Sequence, residues 1–192
     1  DIAPGMVAEI ERKIAGGDLQ ESLTAQQCSF TELNQVSPGP FEAIYSNFGG
    51  LNCVDDLTAV TRHIPNLLEP GGLVTWVIMP PICPWELALL WKDPRVATRR
   101  LRPGGARANV AGVRFRTTYF TPRQVRRAFG PRFEPARLEG LSVVTPTADN
   151  KSFARQHPRL YRRLARLDDW LCRRPLFRGW GDFFILTMRF AG

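Results

Sequence analysis

The segment Ser46-Asn47-Phe48-Gly49-Gly50-Leu51-Asn52 is the stretch best suited to hold a ligand. Two polar residues close the short apolar run Phe41-Glu42-Ala43-Ile44-Tyr45, and the paired glycines let the backbone approach a bound molecule closely. The other chemistry-bearing residues are scattered. His63 falls within a helical pattern and His157 precedes Pro158, where each reads as a packing or helix-start residue. No general base is assigned, and the catalytic residues are left open. Cys28, Cys53, Cys83 and Cys172 form no CxxC pair and no Cys/His cluster, so no metal site is predicted. At 192 residues the chain is large enough to fold without disulfide staples, and its thiols read as reduced in a cytosol.

The elements that must position the glycine-bearing turn follow from periodicity. Met6, Val7, Ile10 and Ile14 recur at helical spacing after Pro4, and Gly16-Gly17 stops the pattern. Glu21–Phe30 is predicted as a weak strand, and Ser37-Pro38-Gly39-Pro40 as a turn. Phe41–Tyr45 is a strand running into Ser46–Asn52. Asp55 or Asp56 caps a helix whose apolar face is Leu57, Val60, Ile64, Leu67 and Leu68. Leu73–Met79 is the strongest strand, nearly all apolar, as expected where helices cover both sheet faces. A strand–helix–strand unit with short links argues for parallel strands and a right-handed crossover. Ligands in such sheets sit outside the carboxyl ends of the strands, which again selects Ser46–Asn52.

In the second half, Trp85–Trp91 looks helical and Arg99–Gly112 reads as a basic loop or lid. Val113–Phe120 alternates like a strand. A helix follows from Arg123 to Phe129, capped by Thr121-Pro122. Arg137–Thr147 and Asp182–Phe190 read as an antiparallel hairpin at one sheet edge. Between them lies a basic amphipathic helix over about Pro158–Cys172, with Leu160, Leu164, Leu167 and Leu171 on one side.

Charge divides the chain. Residues 1–91 hold three basic and eleven acidic side chains, whereas residues 92–192 hold 23 basic and seven acidic ones. A basic half can engage nucleic acid, an anionic membrane surface or an acidic substrate. The bland reading is a set of solvated arginines encoded by a GC-rich bacterial genome. No run of 18 apolar residues occurs, so no membrane-spanning helix is expected.

Three segments, in this order and spacing, carry a family resemblance: Asp1-Ile2-Ala3-Pro4-Gly5-Met6, then Phe41–Asn52, then Leu67-Leu68-Glu69-Pro70-Gly71-Gly72-Leu73-Val74. The first is similar to a "D-x-S-P-x-M" start after a second strand, and the last to an "L-x-P-G-G" turn before a fifth. Together they resemble class I methyltransferases that use S-adenosylmethionine, most closely over residues 1–80. The resemblance implies an α/β, Rossmann-like, three-layer α/β/α fold with a mostly parallel sheet and an antiparallel C-terminal hairpin. The family's strand order is 3-2-1-4-5-7-6, with strand seven antiparallel. Strands three to seven are expected here. Strand one, its glycine-rich loop, the first helix and strand two are not, so the chain reads as N-terminally truncated and as lacking part of the cofactor cradle. A single domain over 1–192 is expected, with a cofactor-binding core at 1–80 and substrate-side or lid insertions at 81–135 and 147–180.

The same resemblance assigns roles. Asp1 would accept hydrogen bonds from the ribose hydroxyls of the cofactor, Ile2 and Met6 would pack near the adenine, and Ser29 takes the place where relatives hold an acid against the adenine amino group. Ser46, Asn47 and Phe48 lie where relatives hold the methionine part. Trp85, Glu86 and Tyr119 are expected at the acceptor pocket. No Asn-Pro-Pro-Tyr-type motif follows the Phe41–Tyr45 strand, which disfavours a DNA or amide-nitrogen methylase. The implied activity is methyl transfer from S-adenosylmethionine to a small-molecule acceptor, with the Arg-rich lid suited to an acidic one. The rival expectation is a non-catalytic basic module that docks to RNA or an anionic lipid surface, with Arg162, Arg163, Arg166, Trp170, Arg173 and Arg174 as its contact residues.

Overall fold

The computed structural model describes every residue except Asp1, Asp18, Pro38, Ala111, Asp149 and Lys151, and describes Ala108–Val110 and Val113 by backbone alone. Its centre is a mixed sheet in which β1 (Phe41–Ser46) pairs in parallel with β2 (Leu68–Ile78). β2 pairs antiparallel with a C-terminal strand, Phe183–Phe190, which pairs antiparallel with Phe133–Leu141. A separate antiparallel hairpin joins Ala106–Val110 to Val113–Thr117. Numbered along the chain, these are β3 (Ala106–Val110), β4 (Val113–Thr117), β5 (Phe133–Leu141) and β6 (Phe183–Phe190), and the main sheet runs β1-β2-β6-β5. That arrangement is the 4-5-7-6 half of the family's strand order, with β6 in the place of the antiparallel seventh strand.

Alternation along the strands decides which face is buried. Val74, Trp76 and Ile78 of β2 and Phe184, Leu186 and Met188 of β6 are sealed in the core. They form one cluster with Leu51, Leu57, Val60 and Ile64 and with Val125 and Phe129. A run of rings ties this face together: Trp76 to Phe129 at 4.4 Å, Phe129 to Phe133 at 5.0 Å and Phe133 to Phe190 at 5.0 Å between centroids. The opposite face is covered less. Tyr45 of β1 is 79% exposed and Leu73 of β2 is 36% exposed. The expected burial of both faces therefore holds for one.

Local chemistry explains the helices and their limits. Pro4–Gly16 forms the first helix, with Pro at its first turn, where a missing N–H costs nothing. Pro122–Phe129 is fixed by a capping box: the Thr121 side chain accepts from the Gln124 backbone, and the Gln124 side chain accepts from Thr121 N–H. The helix expected after the ligand turn is instead two short turns, Thr58–Thr61 and Ile64–Leu67. Pro65 lacks the N–H that would bond the Thr61 carbonyl, and its ring crowds that group, so the helix breaks there. Asp56 caps the first turn through Thr58 N–H at 2.9 Å. Leu68 leaves the helical face altogether and starts β2.

Further expectations are corrected. Glu21–Phe30 is not a strand. It has no ladder partner among the described residues, and its polar side chains bond locally, Gln26 to the Gln35 carbonyl and Cys28 to the Glu32 carbonyl, ahead of a 3-10 helix at Phe30–Gln35. The strand-three position of the fold is accordingly irregular. The basic lid Arg99–Gly112 is not all loop: a 3-10 turn at Arg99–Leu101 leads into β3, and β4 ends at Thr117 instead of reaching Phe120. The hairpin partner of β6 begins at Phe133 and ends at Leu141, earlier than Arg137–Thr147. The sheet, expected to be mostly parallel, has one parallel and two antiparallel pairings among the described residues.

Candidate cofactor turn and its buried ionic neighbour

The turn Ser46–Asn52 stands at the carboxyl end of β1, beside the carboxyl end of β2. Asn52 holds it there. Its side chain is fully buried, and its Nδ2 donates to the carbonyls of Met79 (3.1 Å) and Thr118 (2.6 Å), while its Oδ1 accepts from Met79 N–H (3.0 Å). Thr118 N–H donates back to the Asn52 carbonyl at 2.7 Å, and Gly49 N–H donates to the Val77 carbonyl at 3.0 Å. One amide side chain thus stitches together the turn, the end of β2 and the segment after β4.

The glycine at 49 is required by this geometry. Its φ is +73°, and a Cβ there would meet Met79 Cε at 3.1 Å, Asn52 Oδ1 at 3.2 Å and Phe183 Cε1 at 3.3 Å. Phe48 also has a positive φ, 45°, uncommon for a residue with a bulky side chain. Strain of this kind persists only where the surroundings impose it, and here it puts Phe48 69% into solvent, edge-on to Phe183 with centroids 6.0 Å apart. Asn47 is exposed and its Oδ1 accepts from Phe48 N–H at 3.0 Å, which leaves its Nδ2 group as a donor at the rim. Ser46, half-buried, closes β1 opposite Trp76.

The other expected cofactor residues connect to this rim through the chain. Asp1 lies outside the described residues. Ile2 and Met6 are 67% and 53% exposed, and the Ile2 carbonyl accepts from Gln27 Nε2 at 3.0 Å, which ties it to the Cys28–Phe30 segment. Phe30 packs over Gly50, with its ring 3.5 Å from where a Cβ would stand. Ser29 serves first as a cap: its Oγ accepts from Thr31 N–H and contacts Thr31 Oγ1 at 3.0 Å. His63, outside the core of the rim, contacts the Thr31 carbonyl at 3.0 Å, in keeping with a packing role.

The residues expected at the acceptor pocket separate. Trp85 turns away to pack edge-on against Phe153 at 5.2 Å. Glu86 and Tyr119 come together around Arg100, whose guanidinium lies 5.5 Å from the Tyr119 ring centroid. Glu86 is buried and fully engaged: Arg99 grips both carboxylate oxygens (3.0 and 2.7 Å), and Arg100 donates twice to Oε1 (2.9 and 2.7 Å). Arg100 reaches Asp182 as well, bonding its carbonyl at 2.8 Å and its Oδ1 at 2.7 Å, while Asp182 Oδ2 accepts from Ala148 N–H. This cluster adjoins the Ser46–Asn52 rim through the chain, since Asp182 precedes Phe183 and Tyr119 follows Thr118. Cys83, Glu86 and Asp182 each offer a donor atom within 4.8 Å of the others, but the positive charge among them is the Arg100 guanidinium.

The electrostatics follow from burial against pairing. Burial alone pushes the Glu86 carboxyl up; the hydrogen bonds and charges of Arg99 and Arg100 outweigh it and hold the group below the usual carboxylate range. Burial likewise pushes the Cys83 thiol and the Tyr119 phenol up. A carboxyl depressed in the folded state stabilises the fold above its unfolded pKa, and that contribution disappears as pH falls through the folded value. The expected result is a loss of urea resistance setting in below about pH 4. Glu86→Gln should start from lower stability at pH 7 and lose less of it on acidification. Equal acid slopes in the two proteins would remove Glu86 from the account.

No family model matches the sequence, and no curated protein matches it. Among solved structures, the chain resembles a protein assigned as an S-adenosylmethionine-dependent methyltransferase from Listeria monocytogenes, with a TM-score of 0.61 and 12% identity over 100% of this chain and 78% of that one. It also resembles an S-adenosylmethionine-dependent methyltransferase from Mesorhizobium loti (TM-score 0.55, 19% identity, 98% and 78% covered). A third, from Clostridium acetobutylicum, gives a TM-score of 0.59 at 10% identity, with 100% and 74% covered. The chain therefore has the class I S-adenosylmethionine-dependent methyltransferase fold, as the three sequence segments implied.

Proposed function

We propose that the chain binds S-adenosylmethionine at the Ser46–Asn52 rim and serves methyl transfer to a small-molecule acceptor. The observation that carries the reading is the Asn52-anchored turn with its two positive-φ residues, set at the strand ends where this fold places its ligands. The residues fit the group. Gly49 keeps the backbone free of a Cβ beside Met79 and Phe183, Asn47 offers an amide donor suited to a carboxylate, and the exposed ring of Phe48 offers a face for a sulfonium.

The cofactor supplies a methyl group already activated on a sulfonium, so the chain's task is alignment. Orientation of bound reactants is worth about 7–11 kcal/mol by effective-molarity reasoning. Asn52, through Met79 and Thr118, fixes the cofactor turn relative to the Tyr119–Phe120 segment, where Phe120 N–H donates to the Met79 carbonyl at 3.3 Å. The Glu86–Arg100–Asp182 cluster then fixes the acceptor-side turn of residues 84–101 to the start of β6. Glu86 is held ionised between two guanidiniums and serves as a positioning residue.

Calorimetric titration of the chain with S-adenosylmethionine and S-adenosylhomocysteine tests the reading. Saturable heat below about 1 mM, a dissociation constant equivalent to roughly −4 kcal/mol, is expected for both. Replacing Phe48 with Ala should weaken both by severalfold while leaving the melting curve in place. Absence of heat at that concentration, from a chain shown to be folded, would count against it.

A further inference from the structure

We infer that the helix Pro158–Leu171 is a surface anchor that lies flat on an anionic lipid bilayer. The helix is seated by its inner side: Leu171 is buried, Leu164 is half-buried, and Asp168 turns inward to accept from the backbone N–H groups of Val144 (2.7 Å) and Thr145 (3.2 Å). Its outer side is left in solvent and is basic, and the flank beside it is apolar. Arg159, Arg162, Arg163 and Arg166 recur at three- and four-residue spacing, border one recess of about 300 Å³, and form no ion pair among the described residues. On the flank between these arginines and the seated side, the leucine stripe is left partly uncovered, with Leu160 47% and Leu167 43% exposed; Trp170, within the arginine arc, is 58% exposed, and Leu176 past the helix end is 63% exposed.

An exposed row of unpaired cations next to an exposed row of aliphatic side chains, parallel to a helix axis, is complementary to a headgroup layer above acyl chains. Lipid phosphates suit the arginine recess, and the leucines enter the boundary below it. Trp170, exposed among the arginines, adds an indole suited to the headgroup level. Nucleic acid fits this surface less well. A single strand needs open aromatic faces, and the Trp170 ring already carries the Arg174 guanidinium at 4.5 Å from its centroid. Leu160, Leu167 and Leu176 offer a base nothing to stack on.

Flotation of the full chain with phosphatidylcholine vesicles, and with phosphatidylcholine–phosphatidylglycerol vesicles, tests the inference without any cofactor. Binding is expected only to the anionic vesicles, declining as salt is raised. Arg162→Gln with Arg166→Gln should weaken it about fivefold per charge removed, and Leu160→Ser with Leu167→Ser by about tenfold or more. All four residues are exposed, and thermal melts by circular dichroism verify that the variants fold. Equal recovery with both vesicle types, or none with either, overturns the inference on the wild-type chain alone. Full binding by the leucine variant, with single-stranded RNA displacing the vesicles, also overturns it and assigns the surface to nucleic acid.

Discussion

Arg100→Met should destabilise the chain by about 3–5 kcal/mol in urea unfolding, among the largest effects of any single substitution here. Arg100 is 5% exposed and its guanidinium makes four hydrogen bonds, two to Glu86 Oε1, one to Asp182 Oδ1 and one to the Asp182 carbonyl. Methionine fills much of the same space, so the loss is electrostatic before it is steric. Glu86 keeps Arg99, which is only half-buried, whereas Asp182 keeps a single backbone donor from Ala148. A buried carboxylate with so little compensation is the expensive outcome, because removal of one partner leaves the desolvation cost of the other. Arg100→Lys should recover little, since an ammonium cannot span both carboxylates and the carbonyl in one plane. The triple replacement of Glu86, Arg100 and Asp182 by apolar residues of similar size should be milder than Arg100→Met alone. A loss under about 1 kcal/mol for the single variant would mean that water already reaches the cluster.

That cluster also marks the limit of sequence reading. Glu86 stands out in the sequence as an acid beside a Trp, but Arg100 lies 14 positions further along the chain and Asp182, which shares that guanidinium, another 82 beyond it. No local periodicity links residues 86, 100 and 182, so a residue expected to face an acceptor proves to be clamped by two arginines. Trp85 fails for the converse reason: an aromatic in a lid segment reads as a pocket wall until its partner, Phe153, is known. What was legible depended on short-range rules. The apolar run ending in Ser-Asn and followed by Gly-Gly specifies a strand and an open turn through backbone sterics alone. The Pro-Gly-Gly turn before β2 and the capping residues at Thr121 are equally local. The broken helix at Pro65 carried its signal in plain view, yet the apolar spacing of Leu57, Val60, Ile64 and Leu67 outweighed it. Glu21–Phe30 shows the reverse dependence, because a strand of weak propensity forms only where a neighbouring strand offers it a ladder.

Asn52 was readable as a member of the turn but not as its anchor, since its bonds reach 27 and 66 residues along the chain. Asn52→Ala should therefore cost about 2–4 kcal/mol of stability and weaken S-adenosylmethionine binding by tenfold or more. The energetic part comes from the Met79 N–H and the Met79 and Thr118 carbonyls, each losing a partner in a buried place at about 1–3 kcal/mol apiece, offset in part by water entering the vacated site. The binding part follows because Gly49, Phe48 and Asn47 keep their positions only while the turn is stitched to β2. Asn52→Asp separates hydrogen bonding from packing. The new side chain still accepts from Met79 N–H, but its second oxygen faces two carbonyl oxygens where the amide had donated. That environment favours the protonated carboxyl and raises its pKa in the folded state. A raised carboxyl is a liability that grows as pH climbs above the unfolded value of about 3.9, so Asn52→Asp should be more stable at pH 5 than at pH 8. The wild type should show the opposite slope on its acid side, where Glu86 governs. Parallel pH profiles for Asn52→Asp and the wild type, measured by urea unfolding, would show that the amide hydrogen bonds do not hold the turn.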